Sequence, residues 1–340
     1  MGDNSISKAI SRDNSLNLIR LLCCLQIFAG HMMYHLEVQF PFVIDRFLHF
    51  FLGLPVFFML SGFLIYKSIE RTPDTKTFFL KRVLRLFPEL WVCVLVELIC
   101  ILIFNHDPIN MKDFVLFGVG QSTFFQFWTP ESLRGYGVGC PNGSLWTIPP
   151  IIEFYIVIWF SFKWLDRQKI QTWILLFLLM AGFSHFFYLY QSRIPVIIFK
   201  LADVTVLPQL WVFFLGTFVS KFSDRILPFL KKYWWTFFAM SFFFFWSDID
   251  MKIGYFGSLQ ILTLCLFALG FAFRFPKLDI KMDISYAIYV YHMVVVNVFV
   301  EMGLIKSWPI FFTVVVITLS ISWLSTKYVG GFSQRMKTKM

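Results

Sequence analysis

The run from Leu16 to Leu36 decides what this chain can become. It is long and apolar enough to cross a bilayer as one helix. It nevertheless contains Arg20, His31 and His35. An ionisable side chain at membrane depth is costly and is usually turned toward a cavity, a partner or a substrate path. Arg20 and His31 stand eleven residues apart, about 16 Å along a helix axis. That interval is close to three whole turns, so both project from nearly the same face. The face offers a fixed cation near one membrane surface and a titratable base toward the other. Arg20 by itself would also suit snorkelling to headgroups, and His35, at the helix end, reads as interfacial.

Runs of this kind recur through the 340 residues, which are 58% hydrophobic and only 15% charged. Soluble domains are nearer a quarter charged. The pattern predicts an all-α polytopic membrane protein of about ten transmembrane helices. Residues 1–340 read as a single membrane-embedded domain with no soluble appendage and no cleavable signal peptide. The expected spans are 16–36, 47–66, 87–104, 145–163, 171–190, 204–220, 233–247, 255–273, 285–303 and 309–327. The apolar stretch from Phe114 to Trp128 is broken by Gly118, Gly120 and polar residues Gln121 to Thr123, and reads as re-entrant or interfacial. With ten spans, 23 of the 30 lysines and arginines fall on one side and 7 on the other. The positive-inside rule makes the richer side, and both termini, cytoplasmic. The net charge of +10 is spread over many short loops, as topology demands, so the expected partner is the lipid bilayer and not nucleic acid. The six cysteines have no CxxC or Cys/His spacing that would hold a metal.

Several other stretches carry chemistry-bearing residues. Ser61-Gly62 in the second span gives helices a close-approach surface, and Ser61 has no nucleophile-elbow context. Thr77 to Phe87 reads as an amphipathic helix entering the membrane. In it Arg82 and Arg85 share a face. Paired guanidinium groups suit phosphate, and ordinary positive-inside anchoring is the plainer reading. The outer loop 105–144 is long enough to expect a task of it. After it, Pro149-Pro150 should disturb the start of the fourth helix. Glu153 then lies near the depth of His31, either paired with that ring or as a lone structural acid. Glu97 in the third span poses the same question. His292 sits about 10 Å in from the cytoplasmic end of the ninth span, as a site residue or a packing pin.

In their order and spacing these blocks resemble the acyltransferase-3 family of integral membrane acyltransferases, and most of all its stand-alone O-antigen and polysaccharide O-acetyltransferases. The resemblance rests on Arg20 to His31, Gly53 to Ile65 around Phe-Phe-Met-Leu-Ser-Gly-Phe, Lys81-Arg82-Val-Leu-Arg85 through Pro88, and Ile284 to His292. A partial match runs from Leu145-Trp146-Thr147 to Glu153-Phe154-Tyr155. It implies His31 as the catalytic histidine, Arg20 as its motif partner, and Arg82 and Arg85 as the pair associated with acyl-coenzyme A. Glu153, His292, Ser61, Trp146 and Tyr155 complete the candidate site residues. The chain has Ile151 where many members carry a glutamate, and it ends at Met340 without the extracytoplasmic hydrolase-like domain of some relatives.

The resulting expectation is an O-acyltransferase of the bacterial inner membrane that takes acetyl from cytoplasmic acetyl-CoA and needs no metal. His31 acts as general base on a hydroxyl of a cell-surface or lipid-linked glycan, O-antigen-like. That acceptor would enter through the 105–144 loop and stack on Phe124, Phe125, Phe127, Trp128 and Tyr136. Two other readings compete. A proton-coupled transporter or flippase would relay protons through His31, Glu153 and His292, but no inverted repeat with broken helices is visible. A scaffold without chemistry would leave the buried ionisable groups unexplained.

Overall fold

The computed structural model describes residues 14–72, 74–247, 258–275, 280 and 282–338. The first residues of the predicted eighth span, 255–257, lie outside them, as do Lys8, Arg12, Lys252, Lys277, Lys281 and Lys339. The regular structure among the described residues is helical, without strands. In chain order the helices are α1 Leu16–His35, α2 Phe42–Phe50, α3 Gly53–Arg71, α4 Thr75–Phe104, α5 Met111–Ser122, α6 Ile148–Asp166, α7 Ile170–Leu189, α8 Val196–Asp203, α9 Leu210–Lys221, α10 Ser223–Ser247, α11 Ser258–Arg274, α12 Ser285–Glu301, α13 Trp308–Ser325 and α14 Gly331–Thr338. Among the described residues, six segments are long and apolar enough to cross a membrane by themselves, and α9, α11 and α12 are shorter apolar helices. Large apolar side chains such as Leu175, Leu179, Phe183 and Phe186 on α7 point outward, as lipid-facing residues must. The protein is a multi-pass membrane protein.

The departures from the predicted spans have local causes. The third span does not begin at Leu86-Phe87; α4 runs unbroken from Thr75, with Pro88 inside it. Its start is fixed by the exposed Asp74, whose side chain accepts the Thr77 N–H at 2.7 Å. Hydrogen bonding by Thr77 holds that carboxyl below its ordinary range. The second span divides at Phe51 and Leu52, both extended, into α2 and α3. Pro149-Pro150 does not disturb α6 but opens it, because first-turn N–H groups have no intrahelical acceptor to lose. The sixth span shortens to α9, preceded by α8 and a turn.

Close helix contacts set the frame. A Cβ on Gly62 of α3 would lie 2.0 Å from the Phe213 carbonyl oxygen of α9, and one on Gly216 would lie 1.9 Å from that of Met59. Only glycine lets these two backbones approach so closely, as the Ser61-Gly62 step suggested. The end of the 105–144 loop is fastened to α12. Asn297 donates to the Pro141 carbonyl at 2.8 Å and accepts the Val138 N–H at 2.8 Å, while Glu301 accepts the Gly137 N–H at 2.7 Å. Gly137 has φ +59°, and a side chain there would strike Asn297.

Helices α1 and α12 lie side by side and run in the same direction. Arg20 meets Asp283, Cys24 donates to the Ser285 carbonyl at 3.0 Å, and His31 meets His292. Polar contacts therefore recur along this seam from one end of the bundle to the other, and both candidate sites are built on it.

Candidate active site

The first site gathers at the end of the bundle where α1 and α12 begin. Arg20 is buried, and its Nη1 donates to Asp283 Oδ2 at 2.6 Å. The other oxygen of Asp283 accepts from the Ser285 N–H at 3.1 Å and hydroxyl at 2.6 Å. One carboxylate thus opens α12 and anchors Arg20. From α4, Arg82 donates to Ser68 Oγ at 2.9 Å, and its guanidinium lies 5.6 Å from the Phe78 ring and 5.9 Å from the Tyr155 ring. Arg20, Arg82, Arg85, Ser61 and Tyr155 line one narrow cleft. Ser61 spends its hydroxyl on the Phe57 carbonyl one turn back, at 2.9 Å. Helix α14 packs on α4 and brings Lys337 near this group. Burial, then the charges of Arg85 and Arg82, push its ammonium down to about 8. Three guanidinium groups and the Lys337 ammonium, set against the Asp283 carboxylate and Glu89 nearby, leave a positive excess in a desolvated place. Such an excess attracts anions far more strongly than the same charges would in water, and fork-shaped donors fit phosphate.

The second site lies farther along the same seam. Nδ1 of His31 is 2.9 Å from Nε2 of His292, which is fully buried. Nδ1 of His292 is 3.0 Å from the Ile288 carbonyl oxygen, one turn back in α12. A carbonyl only accepts, so His292 carries its proton on Nδ1. With both rings neutral, His292 Nε2 is then the acceptor and His31 Nδ1 the donor. The remaining lone pair belongs to His31 Nε2. His31 opens on a cavity whose wall includes Trp146, Ser144, Tyr188, His49 and Asp203. Its ring is thus oriented and left with one free basic nitrogen, the arrangement a general base needs.

One residue belongs to both sites. Tyr289 lines the arginine cleft and the histidine cavity. Its hydroxyl donates to the Ser144 carbonyl at 2.7 Å and lies 2.6 Å from Thr147 Oγ1. Phe57 stacks on its ring at 6.2 Å between centroids, 7° from parallel.

The structure therefore joins Arg20, Arg82, Arg85, Ser61 and Tyr155 at one end, and His31, His292 and Trp146 at the other. Glu153 stands with neither group. Its carboxylate accepts the Val206 N–H at 2.7 Å, and it shares a separate cavity with Phe124, Phe125, Phe127 and Leu201. Depth matching offered Glu153 as the ring partner of His31, but the partner is His292. The loop aromatics are also placed differently from expectation. Phe124, Phe125 and Phe127 line the Glu153 cavity, and Tyr136 is buried. The wall over His31 holds none of these aromatics and is built from α1, α2, the ends of α7 and α8, and Ser144 and Trp146 at the end of the loop. Glu97 is buried with both carboxyl oxygens unpaired among the described residues. Sequence reasoning missed Asp283, Tyr289 and Asp203. Tyr289 was within reach, since it stands three residues before His292 and so shares its helix face.

Comparison with known proteins identifies the family. Residues 13–327 match the acyltransferase domain of the acyltransferase-3 family. Nodulation protein 10 of Rhizobium leguminosarum bv. viciae is 24% identical over 357 aligned residues, covering 96% of this chain and 95% of that protein. The peptidoglycan O-acetyltransferase OatA of Listeria monocytogenes serovar 1/2a is 26% identical over 134 residues, 35% of this chain and 21% of the relative. No solved structure matches the chain.

Proposed function

Because the chain belongs to the acyltransferase-3 family, and so is a membrane O-acyltransferase, we propose that it moves acetyl from cytoplasmic acetyl-CoA to a hydroxyl of a cell-surface or lipid-linked glycan. The arginine end faces the cytoplasm of a bacterium, across its inner membrane. Arg82 and Arg85, with Lys337 beside them, hold the coenzyme's phosphates as bidentate and point-charge donors. Arg20, pinned by Asp283, closes the inner side of that cradle. The pantetheine arm runs past Tyr289 toward His31. His31 Nε2 takes the proton of the acceptor hydroxyl as its oxygen attacks the thioester carbonyl. The tetrahedral intermediate collapses to the acetyl ester, and the coenzyme thiolate leaves with the proton from His31, so the base is restored.

The observation that carries this reading is the shared wall. A phosphate-suited cleft and a base-bearing cavity meet at Tyr289 along one pair of helices. The OatA relative is named for O-acetylation of a glycan polymer, which supports the choice of acetyl and of a carbohydrate acceptor. The test compares surface polysaccharide from cells expressing wild type and His31→Ala at equal membrane level. Wild type should add the mass of an acetyl group to the repeat unit, and His31→Ala should lower that by about a thousandfold. Unchanged acetylation in His31→Ala would end the general-base assignment.

A further inference from the structure

We propose that Asp203 is the acceptor-recognition residue of the His31 cavity, binding adjacent hydroxyls of a sugar ring that lies against Trp146. This rests on the reading of that cavity as the transfer site. Among the described residues lining the cavity, Asp203 is the sole acid. It approaches from the end of α8, across the space from α1.

The chain fixes this carboxylate with unusual thoroughness for a residue at the end of a short surface helix. Tyr188 at the end of α7 donates its hydroxyl to Asp203 Oδ1 at 2.8 Å. Gln209, fully buried, donates to the Asp203 carbonyl at 3.0 Å. Thr205 closes the turn on the Ala202 carbonyl at 2.7 Å. Glu153 of α6 then grips the next residue, Val206, through its N–H. Four side chains thus hold residues 202–206 in one conformation. That gives Glu153 a task outside the proton chemistry: it is a positioning residue for the segment that presents Asp203.

The chemistry selects the ligand class. With one oxygen taken by Tyr188, the carboxylate retains acceptor capacity for hydroxyl donors, and bonds to a charged acceptor are the stronger kind. Burial raises the Asp203 carboxyl above its ordinary range, with the Tyr188 hydroxyl opposing, which marks a group short of water partners. Vicinal hydroxyls on a pyranose supply two donors at the spacing of one carboxylate. The broad indole of Trp146 offers an apolar face with a polar edge, matched to the less polar face of such a ring. A phosphate or carboxylate of the acceptor would be repelled here, so a lipid-linked acceptor would present its sugar, not its phosphate, to this wall.

The experiment uses the full-length protein. Surface-glycan acetylation is measured by mass in cells, and acetyl-CoA binding by the purified protein in nanodiscs. Asp203→Ala should lower glycan acetylation by about tenfold or more while the acetyl-CoA Kd stays within about twofold. Glu153→Ala should follow it. Glu153→Gln, whose amide oxygen can still accept the Val206 N–H, should retain most activity, which a proton-transferring glutamate would not. Asp203→Ala at wild-type acetylation would overturn the proposal, and so would equal loss of acetylation and donor binding. A wild type that acetylates no glycan would instead overturn the transfer reading itself, whatever the variants do.

Discussion

The two ends of the α1–α12 seam are built by different means. At the arginine end the functional groups stand on long helices, α1, α4 and α12, and are held by a charged contact between Arg20 and Asp283. At the histidine end the pair also comes from α1 and α12, but short elements add to the wall: Leu48 and His49 of α2, Ser144 and Trp146 of the short segment before α6, and Asp203 at the end of α8. On the proposed function, the difference matches what each end would recognise. A phosphate carrier is a constant ligand, and rigid helices suit it. The acceptor side is made of segments whose length and sequence can change without moving the frame.

The largest effect that sharpens this contrast should come from the neutral pair. His292→Phe removes the acceptor for His31 Nδ1–H and with it the rule for which nitrogen is free. Transfer should fall by about a hundredfold or more, as when a catalytic histidine loses its orienting partner, with acetyl-CoA affinity unchanged. His292→Gln, which can still accept from His31, should recover a measurable part. Equal rates in both variants would reduce His292 to packing. A smaller effect of opposite kind is expected at the other end. Arg85→Ala should raise the KM for acetyl-CoA by about tenfold, the worth of a charge-assisted contact, and leave the acceptor dependence alone. An effect on acceptor KM only would break the division of labour. The smallest effect concerns Lys337. Its ammonium titrates near 8 beside Arg85, Arg82 and Glu89, so it is charged below that pH and loses its charge above it. Wild-type KM for acetyl-CoA should therefore rise as pH passes 8. Lys337→Gln should show a KM about twofold higher at pH 7 and flat across that range.

The arginine end was largely legible in the sequence, because helical spacing fixes both the depth and the face of a residue. Arg20 and His31 lie along α1 as their interval required, and Arg82 and Arg85 share a cleft with Arg20. What spacing does not fix is how one helix is rotated and shifted against another. Glu153 matches His31 in depth yet bonds to Val206. Depth along its own span placed His292 as a site residue or packing pin and did not say which helix it would meet. The two meet because Asp283, nine residues earlier, sits beside Arg20, which sets the axial offset of α12. Asp203 carried no signal in the sequence, since its position depends on a turn held by side chains from two distant helices, α6 and α7.

The contacts of α1 with α12 at Arg20 and at His31 have a mechanical meaning. Two parallel rods fastened at two points cannot slide past each other. The axial interval of about 16 Å between positions 20 and 31 of α1 is therefore a fixed gauge set into the membrane. On the proposed function, a donor would be measured against it, and one whose arm is too short or too long would meet the anchor or the base, but not both.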